Sequence, residues 1–400
     1  MSPSSKKEVS RVVGVIDIGS AQVSGAVVKL KGQGREIENV LAQANEKISF
    51  QELPDFEHFW ETTKKALQAV LKELKIGNKS TGTAGQVSTV GLANQVIEPE
   101  KIFIFLASPF FQSQTKIIKA DNPNTIKITK NYLADLVKQA NGQTSRGENV
   151  VILEDKIMQT KLDGYLTAWP TGQRAKEVIL NRFLSWADKD LLVNLRDLVR
   201  AEYAKVLVFF NTFSFATYDI FKDFLPDKDF ILLDTGNEIT DVLIIKDNIL
   251  AEHFSFPKGK NFLIRQLAKN LGTIPAEAET SLNLYVSGQA NPQLKARLEP
   301  VLAQIAALWQ TDFKETLIKT LETTFLPETI YLISDDPTDG LFVQFIDQAD
   351  LSEVTLSHNK LTAIFVEKLL ADGLAHLTGQ SQPLTNSWLL AEALFCAKVN

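Results

Sequence analysis

The sequence is short of the residues that build disulfide scaffolds and metal sites. A single cysteine, Cys396, stands among 400 residues. That excludes a disulfide framework within the chain and suits a reducing compartment. The four histidines, His58, His253, His358 and His376, are scattered without metal-ligand spacing, so all four read as structural. No run of about 18 apolar residues occurs, so no membrane-spanning helix is expected. Residues 1–10, MSPSSKKEVS, lack an apolar core and read as a loose tail, not a signal peptide. Positive charge is also in deficit. The formal net charge is −6, and no basic stripe recommends nucleic acid.

What is present is a pattern that occurs twice. Phe230–Leu233 is an apolar run followed by Asp234-Thr235-Gly236-Asn237, which is turn chemistry. Val242–Ile245, the turn Lys246-Asp247-Asn248 and a returning segment Ile249–Phe256 complete a three-strand unit. The same plan appears earlier: Val12–Ile16, Asp17-Ile18-Gly19-Ser20, Val23–Leu30, a Lys31–Gly34 turn and Ile37–Ala42. An amphipathic helix follows each copy. The first carries Phe56, Phe59, Trp60, Thr63, Leu67, Val70, Leu71 and Leu74 on one face; the second carries Phe262, Leu263, Leu267 and Leu271. The repetition suggests an internally duplicated chain whose two Asp-x-Gly turns face each other across a cleft. There, backbone amides can meet a phosphate and the acids can hold a hydrated metal.

The length suits two lobes with as many as four subdomains. Residues 11–100 read as a first subdomain, with a loop at Gly77–Gly85 and a strand at Gln86–Leu92. Residues 101–190 read as an inserted α+β unit with short strands at Lys116–Ala120 and Thr125–Ile128. Ala175–Trp186 reads as a strand or, by propensity, a helix. Residues 191–257 and 325–380 form a second core subdomain around a helical unit, 258–324. Leu361–Leu370 and Leu374–Leu377 are expected as helices, Gly379–Pro383 as a linker, and 381–400 as a closing segment ending in the helix Leu384–Val399.

VIDIGSAQVSGAVV (15–28), ILLDTGNEITDVLIIKD (231–247) and DGYLTAWPTGQRAKEV (163–178) resemble, in order, segments of the actin-like nucleotide-binding superfamily. So do Pro275–Glu279 with its following helix and Ala371–Gly379. Within that superfamily the chain looks most similar to the FtsA type of cell-division protein, with the PilM type of pilus-assembly protein as a near relative. The resemblance implies a duplicated α/β, ribonuclease H-like fold. It has two lobes around a nucleotide cleft and a small α+β subdomain inserted in the first lobe.

By that resemblance, Asp17 and Asp234 would hold water around Mg²⁺, and Gly19, Ser20, Gln22, Gly236, Asn237 and Thr240 would surround phosphates. Gly259, Lys260 and Ser334 would complete the nucleotide site, and Asp234 and Asp241 would be the catalytic carboxylates. The departures matter for mechanism. The FtsA type usually has a lysine where Gln22 stands, and the PilM type has one at the place of Ser24. Two loop glycines are replaced by Asn237 and Glu238, and Glu238 is expected to bring a carboxylate towards the anion. Paired glycines of the adenosine loop are Asp335 and Asp336. The glycine pair that opens the next helix is Gly259-Lys260, and a lysine of the Ala-Glu helix is Leu282.

The expectation is therefore a scaffold that binds Mg-ATP weakly or not at all and is not an efficient ATPase. The implied role is an FtsA-like cytoplasmic division adaptor at the inner face of the cell membrane. It would bind the tail of an FtsZ-like tubulin homologue or other division proteins, with self-polymerisation into filaments. The alternatives are a PilM-like adaptor for an inner-membrane pilus protein tail and a small-molecule kinase of the same superfamily. A chaperone-like ATPase is set aside because no substrate-binding domain follows residue 400. The C-terminal helix has two readings, packed on the second lobe or lying on the membrane through Trp388. Lys398 is its one basic residue.

Overall fold

The computed structural model describes residues 11–31, 36–52, 55–80, 98–141, 147–321, 325–333, 336–355, 357–366, 384 and 387–399. Two five-stranded sheets carry the architecture. The first contains β1 (Arg11–Ile18), β2 (Gln22–Leu30), β3 (Ile37–Lys47), β4 (Lys101–Leu106) and, after an insertion, β9 (Leu207–Thr212). Its order is β3-β2-β1-β4-β9. The second contains β10 (Phe230–Thr235), β11 (Thr240–Lys246), β12 (Ile249–Phe256), β13 (Thr329–Ile333) and β14 (Thr362–Phe365), in the order β12-β11-β10-β13-β14. In both, a meander of three antiparallel strands is extended by two parallel ones.

The duplication holds residue by residue. Asp17 pairs with Ser24 and Ile18 with Val23; Asp234 pairs with Asp241 and Thr235 with Thr240. Asp17 and Asp234 thus occupy equivalent positions, as do Gly19 and Gly236, and Ser24 and Asp241. Asp247 and Asn248 have positive φ values of 50° and 60°, which gives the β11–β12 turn the twist that hairpins favour.

Helices cover both faces of each sheet. On the outer face of the first lie α1 (Phe56–Ser80) and α3 (Lys189–Glu202). The stripe Phe59, Thr63, Leu67, Val70, Leu71 and Leu74 is buried, whereas Phe56 is exposed. Asp188 caps α3, accepting from the Asp190 and Leu191 amides. The outer face of the second sheet packs against α5 (Lys260–Leu271), α6 (Pro275–Val286), α7 (Pro292–Leu321) and α8 (Asp339–Gln348). Between the two sheets lie α4 (Phe213–Phe224) and α9 (Ser387–Val399). The inserted unit is a separate four-stranded sheet of order β5-β8-β6-β7: β5 (Gln112–Lys127), β6 (Val150–Leu162), β7 (Tyr165–Leu166) and β8 (Arg174–Asp188). Helix α2 (Lys130–Asn141) packs on one of its faces.

Several local expectations change. Residues 362–365 form the edge strand β14 and not part of a helix, because their short apolar run pairs with β13 in parallel register. The two short strands expected at 116–120 and 125–128 are one long strand interrupted by an irregularity between Asp121 and Ile126. Residues 175–186 are a strand, fixed by ladders on both sides. Helix α1 continues through Ser80, where a loop was expected from Gly77. The strand expected at 86–92, the helix at 374–377, the linker at 379–383 and His376 lie outside the described residues.

Helix α9 packs on α4 and on strands β1, β2 and β3 of the first sheet, and not on the second lobe as expected. Leu389, Ala391, Ala393, Leu394, Phe395, Cys396 and Ala397 are all buried, so the helix is apolar on every side because every side is covered. Phe395 meets Phe105 and Phe215 edge-on, and Lys398 is committed to Asp219 and Asp223 of α4 at 2.9 Å each. Most of the apolar surface of the helix is thus used within the fold, and its lysine is paired with α4 at the surface. Among the described residues no helix is long and apolar enough to cross a membrane.

Candidate functional site between the lobes

The two acidic turns meet. Asp17, Gly19, Ser20 and Gln22 from the first and Asp234, Gly236, Ile239 and Asp241 from the second line one cavity of about 70 Å³. Lys260, Ser108, Phe213 and Trp388 complete its wall. The turns touch directly: the Glu238 amide donates to Ser20 Oγ at 3.3 Å. Gly236 is required at this closeness, since a Cβ there would come 2.8 Å from Ser20 Oγ. Gly259 is pressed against the same loop, its Cβ position overlapping the Gly236 carbonyl oxygen. The Lys260 and Asn261 amides donate to the Gly236 and Asn237 carbonyls at 3.0 and 2.8 Å, so the start of α5 braces the second turn.

The cavity is strongly acidic. Asp234 has its pKa raised well above the usual carboxylate range, by burial first and then by Asp241, with Lys260 opposing. Lys260 divides its charge between Asp339 at 3.2 Å and Asp336 at 3.7 Å. Asp339 is fully buried and accepts a further bond from Thr235 Oγ1 at 2.7 Å. Glu392 of α9 is 0% exposed, and neither of its oxygens has a donor among the described residues. Burial, and after it the adjoining Asp17 carboxyl, push its pKa far up. Two carboxyls in contact are stable only when one carries a proton, which it then shares with the other.

Asp241 belongs to a polar network at the seam of three units. Ser108 Oγ donates to Asp241 Oδ1 at 2.7 Å, and His253 Nε2 approaches the same oxygen at 3.3 Å. The other ring nitrogen of His253 bonds Ser113 Oγ of β5 at 2.5 Å, and Phe111 stacks on the ring. His253 therefore joins the second sheet, the first lobe and the inserted unit, a role its isolation in the sequence concealed.

Of the residues singled out in the sequence, Asp17, Gly19, Ser20, Gln22, Asp234, Gly236, Asp241 and Lys260 share this cavity. Asn237 lies beside it, in a second cavity of about 480 Å³ that also takes in Lys47, Glu279, Asn283 and Asp336. Thr240 is buried, and its hydroxyl is spent on the Lys258 carbonyl at 2.9 Å. Gly259 acts through packing, as above, and Ser334 lies outside the described residues. Glu238 corrects an expectation: its carboxylate is turned away from the cleft, onto Arg265 at 2.6 Å and Asn261 at 2.7 Å. An arginine 27 residues downstream outcompetes an acidic cleft for a carboxylate. Trp388, Glu392, Ser108 and His253 were missed; only contact across the fold reveals them.

Among the described residues that line the cavity, Asp17, Asp234 and Asp241 stand with one lysine, Lys260, which is paired with Asp339. The cavity of about 70 Å³ adjoins the one of about 480 Å³, and Ala21, Gln22, Lys260 and Trp388 line both. Among the described residues no group of three acids, histidines or cysteines is arranged to hold a metal ion.

No protein-family model matches the chain, and no curated protein matches its sequence. Among solved structures, a PilM–PilN type IV pilus biogenesis complex is similar over 96% of this chain and 97% of that one, with a TM-score of 0.60 and 14% identity. The ethanolamine utilization protein EutJ from Carboxydothermus hydrogenoformans is similar over 98% of this chain and 90% of its own, with a TM-score of 0.41 and 14% identity. Likeness at this identity speaks for fold and not for activity. With the duplicated sheets and the shared cleft, the likeness to the PilM–PilN structure makes this an actin-like fold.

Proposed function

We propose that this chain is an adaptor of the PilM kind, an actin-like scaffold that holds a segment of a partner protein and does not live by nucleotide turnover. The observation that carries this is a groove away from the cleft. Strand β9 is the outer strand of the first sheet, and its free edge faces the start of β6 and the side of α3. The groove is about 290 Å³ and is lined by Val151, Ile152, Val193, Arg196, Val208 and Phe209, among others. Val151, Ile152, Val193 and Phe209 are exposed there. An edge to which no further strand is paired among the described residues, beside an apolar trough, suits an extended peptide, although its last amide, Thr212, is taken by Glu154 of β6. The carboxyl-rich cleft supports the second half of the reading: Mg-ATP is bound weakly or not at all.

The PilM kind is favoured over the FtsA kind by one feature. The helix that an FtsA-like protein would place on the membrane is here buried between the sheets. Calorimetry with a tail peptide of an inner-membrane pilus protein tests the proposal. Micromolar binding that weakens about tenfold or more in Ile152→Asp and Val193→Asp supports it. Binding of a tubulin-homologue tail peptide instead would move the chain to division.

A further inference from the structure

The far end of the inserted sheet is built unlike the rest of the surface. Strands β6 and β7 are joined by a two-residue turn, Asp163-Gly164, with φ values of 47° and 83°. Tyr165 and Leu166 follow it, and Trp169 lies in the next loop. Their exposures are 79%, 59% and 81%. The loop is ordered by its own bonds: Gln173 Nε2 donates to the Trp169 carbonyl at 2.8 Å and to Thr167 Oγ1 at 2.9 Å. The Gly172 amide and the Ile128 carbonyl tie it to the end of β5 at 2.8 Å. A Cβ placed on Gly164 or Gly172 would meet nothing within 4 Å, so both turns stand clear of the body.

The charge behind this tip leans positive. Residues 121–135 and 160–177 contain Lys127, Lys130, Lys161, Arg174 and Lys176 against Asp121, Asp135, Asp163 and Glu177, in a chain whose net charge is −6. Asp163 is occupied locally, its Oδ1 accepting from the Lys176 and Glu177 amides at 2.9 and 2.7 Å. Glu177, the next acid along β8, is paired with Lys119 at 2.7 Å. Lys161 sits directly across from Leu166, and Lys127 across from Arg174, so the cations stand just behind the apolar tip.

We propose that this tip docks on an anionic lipid surface, with Tyr165, Leu166 and Trp169 entering the headgroup layer and the lysines and arginine resting on lipid phosphates. Tryptophan and tyrosine favour that layer, and each cation near an anionic leaflet adds to the attraction. A projecting hairpin with its cations set back suits a planar surface better than a partner's recess. The contact is small, so it is reversible. It is independent of the groove at β9 and of the buried C-terminal helix.

The test is flotation of the intact chain with phosphatidylglycerol–phosphatidylcholine vesicles and with pure phosphatidylcholine vesicles. The wild type is expected to float with the anionic vesicles only. The triple variant Tyr165→Ser/Leu166→Ser/Trp169→Ser and the pair Lys161→Gln/Arg174→Gln should each bind about tenfold more weakly or worse. All these side chains lie on the surface of the tip, so the variants should keep the wild-type melting curve. Trp169 also gives a direct signal: brominated lipid should quench wild-type fluorescence and leave Trp169→Phe unchanged. No flotation of the wild type, or equal flotation of the triple variant, overturns the proposal. So does loss of duplex-DNA binding in the variants while vesicle binding persists, which would assign the surface to nucleic acid.

Discussion

The carboxyl group of Glu392, carried on the last helix, lies against that of Asp17 on the first strand. The two are separated by almost the whole chain, yet they share one buried place between the lobes. Burial first, and Asp17 second, raise the Glu392 pKa, so the folded state holds this proton more tightly than the unfolded state does. The sign follows from linkage. The stabilisation is complete below the ordinary glutamate range and is lost as pH rises through the elevated folded value. Glu392→Gln replaces the shared proton with an amide that can donate to Asp17. Urea unfolding should show the variant more stable than wild type by about 1–3 kcal/mol at pH 8, with a smaller gap near pH 5. Parallel pH profiles for the two proteins would show that the pair is not protonated as described.

His253 makes a second test. It ties Asp241 to Ser113 and stacks on Phe111, so three units of the fold meet on one ring. His253→Ala leaves the buried Asp241 with Ser108 alone and opens a hole. The expected loss is about 2–3 kcal/mol in chemical unfolding. His253→Gln, which keeps a donor, should lose less. Equal losses would mean that the ring contributes only volume.

Arg265 is the reason Glu238 does not face the cleft. Besides holding that carboxylate, its Nη1 donates to the Gln51 carbonyl of the first lobe at 3.1 Å. Arg265→Ala should cost about 1–3 kcal/mol, and Arg265→Ala/Glu238→Ala should recover part of it, because the stranded carboxylate is then gone. Additive losses in that cycle would remove the pairing from the account.

The parts of this fold that were readable are those written locally. Asp17-x-Gly19 and Asp234-x-Gly236 announce themselves through turn chemistry between apolar runs, and the stripes of α1 and α5 show a helical period. Strand β14 was misread because Thr362–Phe365 is too short to show a period, and only its ladder with β13 defines it. The cleft was half legible. Its two turns could be seen, but α9 is apolar on all sides, and no periodicity in it says that Glu392 would find Asp17 or that Trp388 would wall the cavity. Glu238 was assigned by its place in the loop, and a pair with Arg265 of α5 turned it elsewhere.

The most direct test of the whole reading is calorimetric titration of the intact chain with Mg-ATP. An actin-like cleft lined by Asp17, Asp234 and Asp241 beside a paired lysine should give no affinity tighter than about 10 μM, and Asp234→Ala should change little. Binding well below about 10 μM that disappears in Asp234→Ala would contradict it and make the chain a working nucleotide-binding protein.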